Sequence, residues 1–166
     1  MTIRTMRKQD FDYLVTVVDE WWGRPVRHLL HPVFLYQFGD TAFVAENKGA
    51  VVGFLVGFAG QRDPEEAYVH MVAVAPASRH AGVGRALYES FIEVVAERGC
   101  RRIKAITTPG NRESVAFHTR MGFVMVTEDA VYVDDVPAVR DYAGPGQHRV
   151  VFVKTFVSGL YASSSS

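Results

Sequence analysis

Cysteine is nearly absent: Cys100 is the only one in 166 residues, so no disulfide can form within the chain. A compact chain of this length buries about 70% of its unfolded surface and needs neither a disulfide nor a structural metal to hold a core. Cys100 follows Gly99 where a long helix should stop, and it reads as a small buried apolar group rather than a reactive thiol. An excess of one charge is also missing, because Lys plus Arg and Asp plus Glu number 18 each. No global basic field advertises nucleic acid or an anionic membrane, and the expected partner is a small molecule. No run of 18 apolar residues occurs, and the opening MTIRTMRKQD has no apolar core behind its charges, so a cytoplasmic location is expected. The six histidines, at 28, 31, 70, 80, 118 and 148, contain no His-x-x-x-His pair, and no metal site is expected. No internal repeat is present.

What the chain does contain is one organising stretch, residues 67 to 100. It reads as a strand from about Ala67 to Ala75, a tight turn at Pro76-Ala77-Ser78, and a long helix with a glycine-rich start. At the handover Arg79, Gly82 and Gly84 form R-x-x-G-x-G, where unpaired backbone N–H groups stand beside a positive charge. Such a turn is an anion cradle, and glycine lets a phosphate approach the backbone and relieves any positive φ. Of two nucleotide-binding motifs one is excluded and the other fits poorly, and binding of a different nucleotide stays a third reading of the cradle. A Walker loop needs Gly-Lys followed by Ser or Thr, which the chain lacks. A dinucleotide fingerprint needs a third glycine where Leu87 stands, and an acid about twenty residues on, where the chain offers Arg101 and Arg102.

Along the rest of the chain, residues 2 to 6 read as a first strand and Asp10 as the cap of a helix carrying Phe11, Leu14, Val15 and Val18 and ending near Trp21-Trp22-Gly23. A second helical region, Val26 to Leu30, lies between Pro25 and Pro32, followed by an aromatic stretch with Phe34, Tyr36 and Phe38. Thr41 to Glu46 and Val51 to Phe58 form a hairpin about Asn47-Lys48-Gly49. Within it Gly53 and Gly57 mark a bulge or a close approach to the backbone. The long helix buries Val83, Leu87, Phe91 and Val94-Val95 and exposes Arg85, Glu89, Glu93 and Glu97. A strand at Arg102 to Thr107 precedes NRESVAFHTRMGF, residues 111 to 123. Phe123 to Thr127 and Val150 to Phe156 then bracket a long connection, residues 128 to 149, expected to be a flap or a dimer contact. Residues 1–158 are expected to form one domain, with a disordered Ser-rich tail at 159–166.

The R-x-x-G-x-G turn, followed about thirty residues later by Asn, a short helix, His118 and Gly122-Phe123, resembles the two signature motifs of the GNAT superfamily of N-acetyltransferases. The resemblance is close over residues 67 to 126 and elsewhere follows element order. It implies an α/β (α+β) fold: a mixed, mostly antiparallel sheet of six to seven strands flanked by helices, with two strands splayed at the coenzyme. It also implies acetyl transfer from acetyl-CoA to a primary amine, with a small-molecule acceptor first, a protein N-terminus or lysine second, and a non-catalytic acyl-CoA module as the rival. Homodimerisation would follow by the same analogy. The pyrophosphate would lie on His80, Ala81, Gly82, Val83, Gly84 and Arg85 beside Arg79, the pantetheine arm along Val72, Ala73 and Val74, and further coenzyme contacts at Asn111, Ser114, Phe117 and His118.

Acceptor contacts are expected from Trp21, Trp22, Tyr36, Phe38 and Tyr68, with Asp141 and Tyr142 of the long connection. Strand alternation puts Tyr68, His70, Val72 and Val74 on one face; Tyr68 and His70 are both catalytic candidates, and His70 suits a general base. His118 stands where many relatives place a tyrosine that serves the leaving thiolate, and it shares a helical face with Asn111 and Ser114. A structural role for either histidine stays open at this point.

Overall fold

A computed structural model describes residues 1–156, which divide into two compact units, residues 1–100 and the segment from Arg101 onward. The expected tail, residues 159–166, lies outside the described residues.

In the first unit, β1 (Thr2–Thr5) leads into α1 (Lys8–Trp22). The cap of α1 is Arg7, not Asp10. Asp10 stands at the third helical position, where its carboxylate accepts the Arg7 N–H at 2.7 Å and two Arg4 guanidinium N–H groups at 2.7 and 2.9 Å. Reaching back from inside the first turn lets one buried acid satisfy the helix start and an arginine together. Arg4 also holds Glu46 at 2.8 Å, which ties β1, α1 and the next strand. α1 stops at Gly23, with φ +76, whose N–H donates to the Asp19 carbonyl.

The proline-flanked segment forms one tight turn, Arg27–Leu29, and the aromatic stretch folds into the single-turn α2 (Val33–Tyr36). Three antiparallel strands follow, β2 (Ala42–Asn47), β3 (Ala50–Ala59) and β4 (Glu66–Val74), in the order β1-β2-β3-β4. After a turn at Pro76–Ser78 comes α3 (Val83–Glu97), which buries Val83, Leu87, Tyr88, Phe91, Ile92 and Val95. Helix α3 and the neighbouring β4 both come close to the two strand glycines: a Cβ on Gly53 would stand 2.9 Å from Val83 and 3.2 Å from the Ala73 carbonyl, and one on Gly57 would strike the Tyr68 carbonyl and stand 2.7 Å from the Phe91 ring. Leu14, Val18, Trp21, Phe34, Phe54, Val56, Met71 and Ala73 share one apolar cluster. Cys100 is buried, and its thiol donates to the Pro64 carbonyl.

The second unit holds β5 (Arg102–Thr107), α4 (Arg112–Arg120), β6 (Val124–Met125), β7 (Ala130–Val133), β8 (Val136–Val139) and β9 (Val150–Thr155). The strand order is β5-β9-β6, all antiparallel, with β7-β8 as a separate pair. The connection expected as a flap or a dimer contact therefore contains a hairpin, Ala130–Val139. Its two-residue turn, Asp134-Asp135, takes φ +48 and +65, as a primed turn requires, and Ala138 is fully buried. Aspartates stand where the usual glycine signal would be, which hid the hairpin in the sequence. No helix among the described residues is long and apolar enough to cross a membrane.

Candidate active site

The cradle begins where β4 ends. After the Pro76–Ser78 turn, Arg79 is extended, His80 takes φ +62, and Gly82 takes φ +79 at the cap of α3. The first bond of the α3 ladder runs from the Ala86 N–H to the Gly82 carbonyl, so the N–H groups of Val83, Gly84 and Arg85 precede that ladder. No acidic residue stands in the first turn of α3, and a Cβ built on Gly82 meets nothing within 4 Å. The helix end is thus open, acid-free and suited to an anion. His80 shares the left-handed backbone that the sequence assigned to glycine alone. Arg79 is turned elsewhere: its Nη2 donates to the Trp21 carbonyl at 2.5 Å and its Nε to the Val74 carbonyl at 3.4 Å. α1 has no basic residue in its last turn, and Arg79 supplies that charge from another element.

Strict alternation fails on β4. Val56 pairs with Met71 but Gly57 pairs with Val69, which leaves His70 as the extra residue of a β-bulge. Tyr68, paired with Phe58, and Met71, paired with Val56, consequently share a face, while Val72 and Val74 take the other; this corrects the single face expected for all four alternate residues. The bulge also turns His70 to the Tyr68 side. Its ring stacks on Phe34 at 4.5 Å and 20°, with Tyr68 at 6.4 Å, and Phe58 and Phe38 continue the aromatic wall. His70 Nε2 lies 2.9 Å from the Leu29 carbonyl. A carbonyl only accepts, so Nε2 carries the hydrogen and Nδ1 keeps its lone pair. Burial lowers the His70 pKa below its ordinary value, with the Leu29 bond opposing, so the ring is neutral at pH 7.

In the second unit Asn111 caps α4, its Oδ1 accepting the Ser114 N–H at 3.1 Å. His118 is 4% exposed and lies flat on Phe152 at 4.4 Å, with Phe117 and Phe123 edge-on at 5.2 and 5.1 Å. Its Nδ1 donates to the Ser114 carbonyl at 2.8 Å, and burial pushes its pKa down to about 4. The ring is neutral at pH 7, and its one proton is committed to a carbonyl. That environment favours packing over a proton-donor role. The shared face of Asn111, Ser114 and His118 is as expected, whereas Phe152, far along the chain, was not legible as its partner.

Among the expected acceptor contacts, Trp21 is 6% exposed and belongs to the core, edge-on to Tyr13. Its indole is not available to a ligand in this arrangement. Trp22 is partly buried against the same cluster. Tyr36 is 63% exposed and lines a depression of about 480 Å³ with Phe38, Asp40 and Arg98. Asp141 turns inward on its own loop, accepting the Gly146 N–H at 2.7 Å, and Tyr142 is exposed. Phe34, Phe58 and the Leu29 carbonyl surround His70 without having been singled out as site residues, whereas Phe38, expected as an acceptor contact, stands in the same aromatic wall. The aromatic run 34–38 was the available signal. Among the described residues no cluster of His, Cys, Asp and Glu could hold a metal ion.

Residues 5–123 match the family model described as the acetyltransferase (GNAT) family, and the chain belongs to that family. It is 35% identical over 80 residues to an L-2,4-diaminobutyric acid acetyltransferase of Nocardia farcinica, a match covering 48% of this chain and 42% of the relative. The chain spans from 33% to 59% of the length of the first curated relatives it matches. Its fold is similar to that of Ard1 from Thermoplasma volcanium, with TM-score 0.74 and 20% identity over 94% of this chain and 97% of that one. It is also similar to diaminobutyrate acetyltransferase EctA from Paenibacillus lautus, solved in complex with its substrate L-2,4-diaminobutyric acid and coenzyme A, with TM-score 0.67 and 21% identity over 93% of each chain. These likenesses match the α/β fold, whose described residues form nine mostly antiparallel strands and four α-helices.

Proposed function

We propose that this GNAT-family chain transfers an acetyl group from acetyl-CoA to a primary amine of a small-molecule acceptor. The observation that carries the reading is the open, acid-free cradle at 79–85, placed directly after the strand that presents His70 with a free Nδ1 lone pair. The pyrophosphate would be held mainly by backbone N–H groups from His80 to Arg85, because the Arg79 guanidinium is turned to the Trp21 carbonyl. The pantetheine arm would follow Val72, Ala73 and Val74, and a backbone N–H there would stabilise the oxyanion of the tetrahedral intermediate.

An alkylamine with pKa near ~10.4 is protonated at pH 7.4, and removing its proton costs about 4 kcal/mol. His70 would take that proton on Nδ1, directly or through one water, with Tyr68 beside it lining the acceptor. The amine nitrogen then bonds to the thioester carbon and gives up its second proton to solvent, the C–S bond breaks, and coenzyme A leaves as a thiolate that takes a proton from solvent. His118 is assigned a packing role under α4 rather than that of the acid. The matched diaminobutyrate enzymes support a small amino acid or diamine as acceptor.

The test mixes the chain with acetyl-CoA and a panel of amines: a diamino acid, a polyamine, an amino sugar and a peptide with a free N-terminus. Thiol release matched one to one by acetylated small amine supports the reading. Acetylation of the peptide alone moves the acceptor to the protein class. Coenzyme binding without thiol release on any amine contradicts catalysis.

A further inference from the structure

Asp19, near the end of α1, is joined to His70 by a continuous set of hydrogen bonds within the first unit. Its Oδ1 accepts the Val26 N–H at 2.8 Å and the Arg27 N–H at 2.7 Å, and its Oδ2 faces the Arg27 guanidinium at 3.6 Å. Those two N–H groups open the Arg27–Leu29 turn, which closes through the Leu29 N–H on the Val26 carbonyl at 2.8 Å. Val26 and Leu30, 2% and 3% exposed, pin both ends of the turn in the core. Leu29 itself is 37% exposed, and its side chain contributes little anchorage. The Leu29 carbonyl, at the far end, receives the His70 Nε2 hydrogen.

Stacking on Phe34 fixes the plane of the His70 ring but is indifferent to which nitrogen carries the hydrogen. Only a directional acceptor chooses the tautomer, and here that acceptor is the Leu29 carbonyl. Its direction depends on how the turn sits against α1, which the two bonds to Asp19 hold beside the buried Val26 and Leu30, with the His31 N–H donating to the same carbonyl at 3.1 Å. We propose that Asp19 is a positioning residue for His70: by holding the Val26 and Arg27 N–H groups it aims the Leu29 carbonyl, and so keeps His70 in the Nε2–H form with Nδ1 as proton acceptor. The catalytic meaning of this arrangement rests on His70 serving as the base of the proposed reaction; the tautomer itself does not.

The experiment records long-range proton–nitrogen correlations of the histidine rings at pH 8 in the full chain, its D19A and D19N variants and, should D19A not fold, D19S. Steady-state kcat and KM are measured alongside. The wild type should show Nε2 protonated and Nδ1 bare at His70. D19A, or D19S in its place, should show mixed tautomers and a kcat lowered about tenfold, corresponding to one lost orienting interaction, with KM for acetyl-CoA unchanged. D19N keeps an oxygen for both N–H groups and should retain the wild-type spectrum and most of kcat. An Nδ1–H wild type, an unchanged His70 spectrum in D19A or D19S, or an equal loss in D19N would overturn the proposal. If the wild type acetylates no amine, the proposed function fails while the ring spectra still decide the Asp19 assignment.

Discussion

Replacing Gly82 with alanine separates the cradle's fold from its use. Gly82 has φ +79, where a side chain costs about 1–2 kcal/mol, and its Cβ would meet nothing within 4 Å. Stability should therefore fall by backbone strain alone, lowering the unfolding midpoint by about 2–8 °C for a chain of this size. Gly49, in the β2–β3 turn, is a matched control, with φ +80 and the same open surroundings. G49A should lose the same stability. If phosphate occupies the space beside Gly82, the new methyl displaces at least one charge-assisted hydrogen bond, about 1.5–3 kcal/mol, and weakens coenzyme A binding roughly 10- to 150-fold. Titration calorimetry with coenzyme A on the wild type and both variants reads this directly. Wild-type affinity in G82A, or an equal loss in G49A, would refute the placement of phosphate at Gly82.

His70→Ala should lower kcat about 10²- to 10⁴-fold with coenzyme affinity kept, as measured by steady-state turnover beside calorimetry. Because burial holds His70 below 6.5, the acid limb of kcat should also fall below pH 6.5, activity being lost as the ring gains its proton; a limb above that value would contradict the assignment. His118 takes its proton near pH 4 when folded and near 6.5 when unfolded, so acid favours the unfolded chain: stability present above about pH 6.5 is lost as pH falls toward 4. Urea titrations should show this loss reduced by about 3 kcal/mol in His118→Phe, which keeps an aromatic ring to stack on Phe152. Asp10→Ala leaves Arg4 with Glu46 alone and the Arg7 N–H without its carboxylate, and should cost about 1.5–3 kcal/mol by the same measurement. A cost below 1 kcal/mol would remove Asp10 from its structural role.

The parts of the fold legible in the sequence were those carried by local signals. The helical stripe of α3, the Gly23 and Gly99 stops, and the strand–turn–helix around Arg79, Gly82 and Gly84 depend on neighbours within one or two turns. The two strand glycines flagged a close approach without naming what approached, since Val83 and Phe91 reach Gly53 and Gly57 only after the chain has folded back. The His70 bulge was hidden because its residues alternate without a break; the extra residue appears only in the pairing with β3. For the same reason the direction of the Arg79 guanidinium was illegible, as its acceptor lies 58 residues away. His118 shows the limit most clearly. Its face of α4 followed from spacing, but its neutral, buried state follows from Phe152 and the Ser114 carbonyl.

The most direct test of the account is thermal unfolding of the chain with and without acetyl-CoA, beside ATP and NAD as controls. At ~100 times its dissociation constant a ligand adds about 2.7 kcal/mol, a rise of about 5–11 °C here. A cradle for acyl-CoA should give that rise with acetyl-CoA and none with ATP or NAD. No rise with acetyl-CoA, or a larger one with either nucleotide, would contradict the assignment of the cradle at 79–85 to an acyl-CoA.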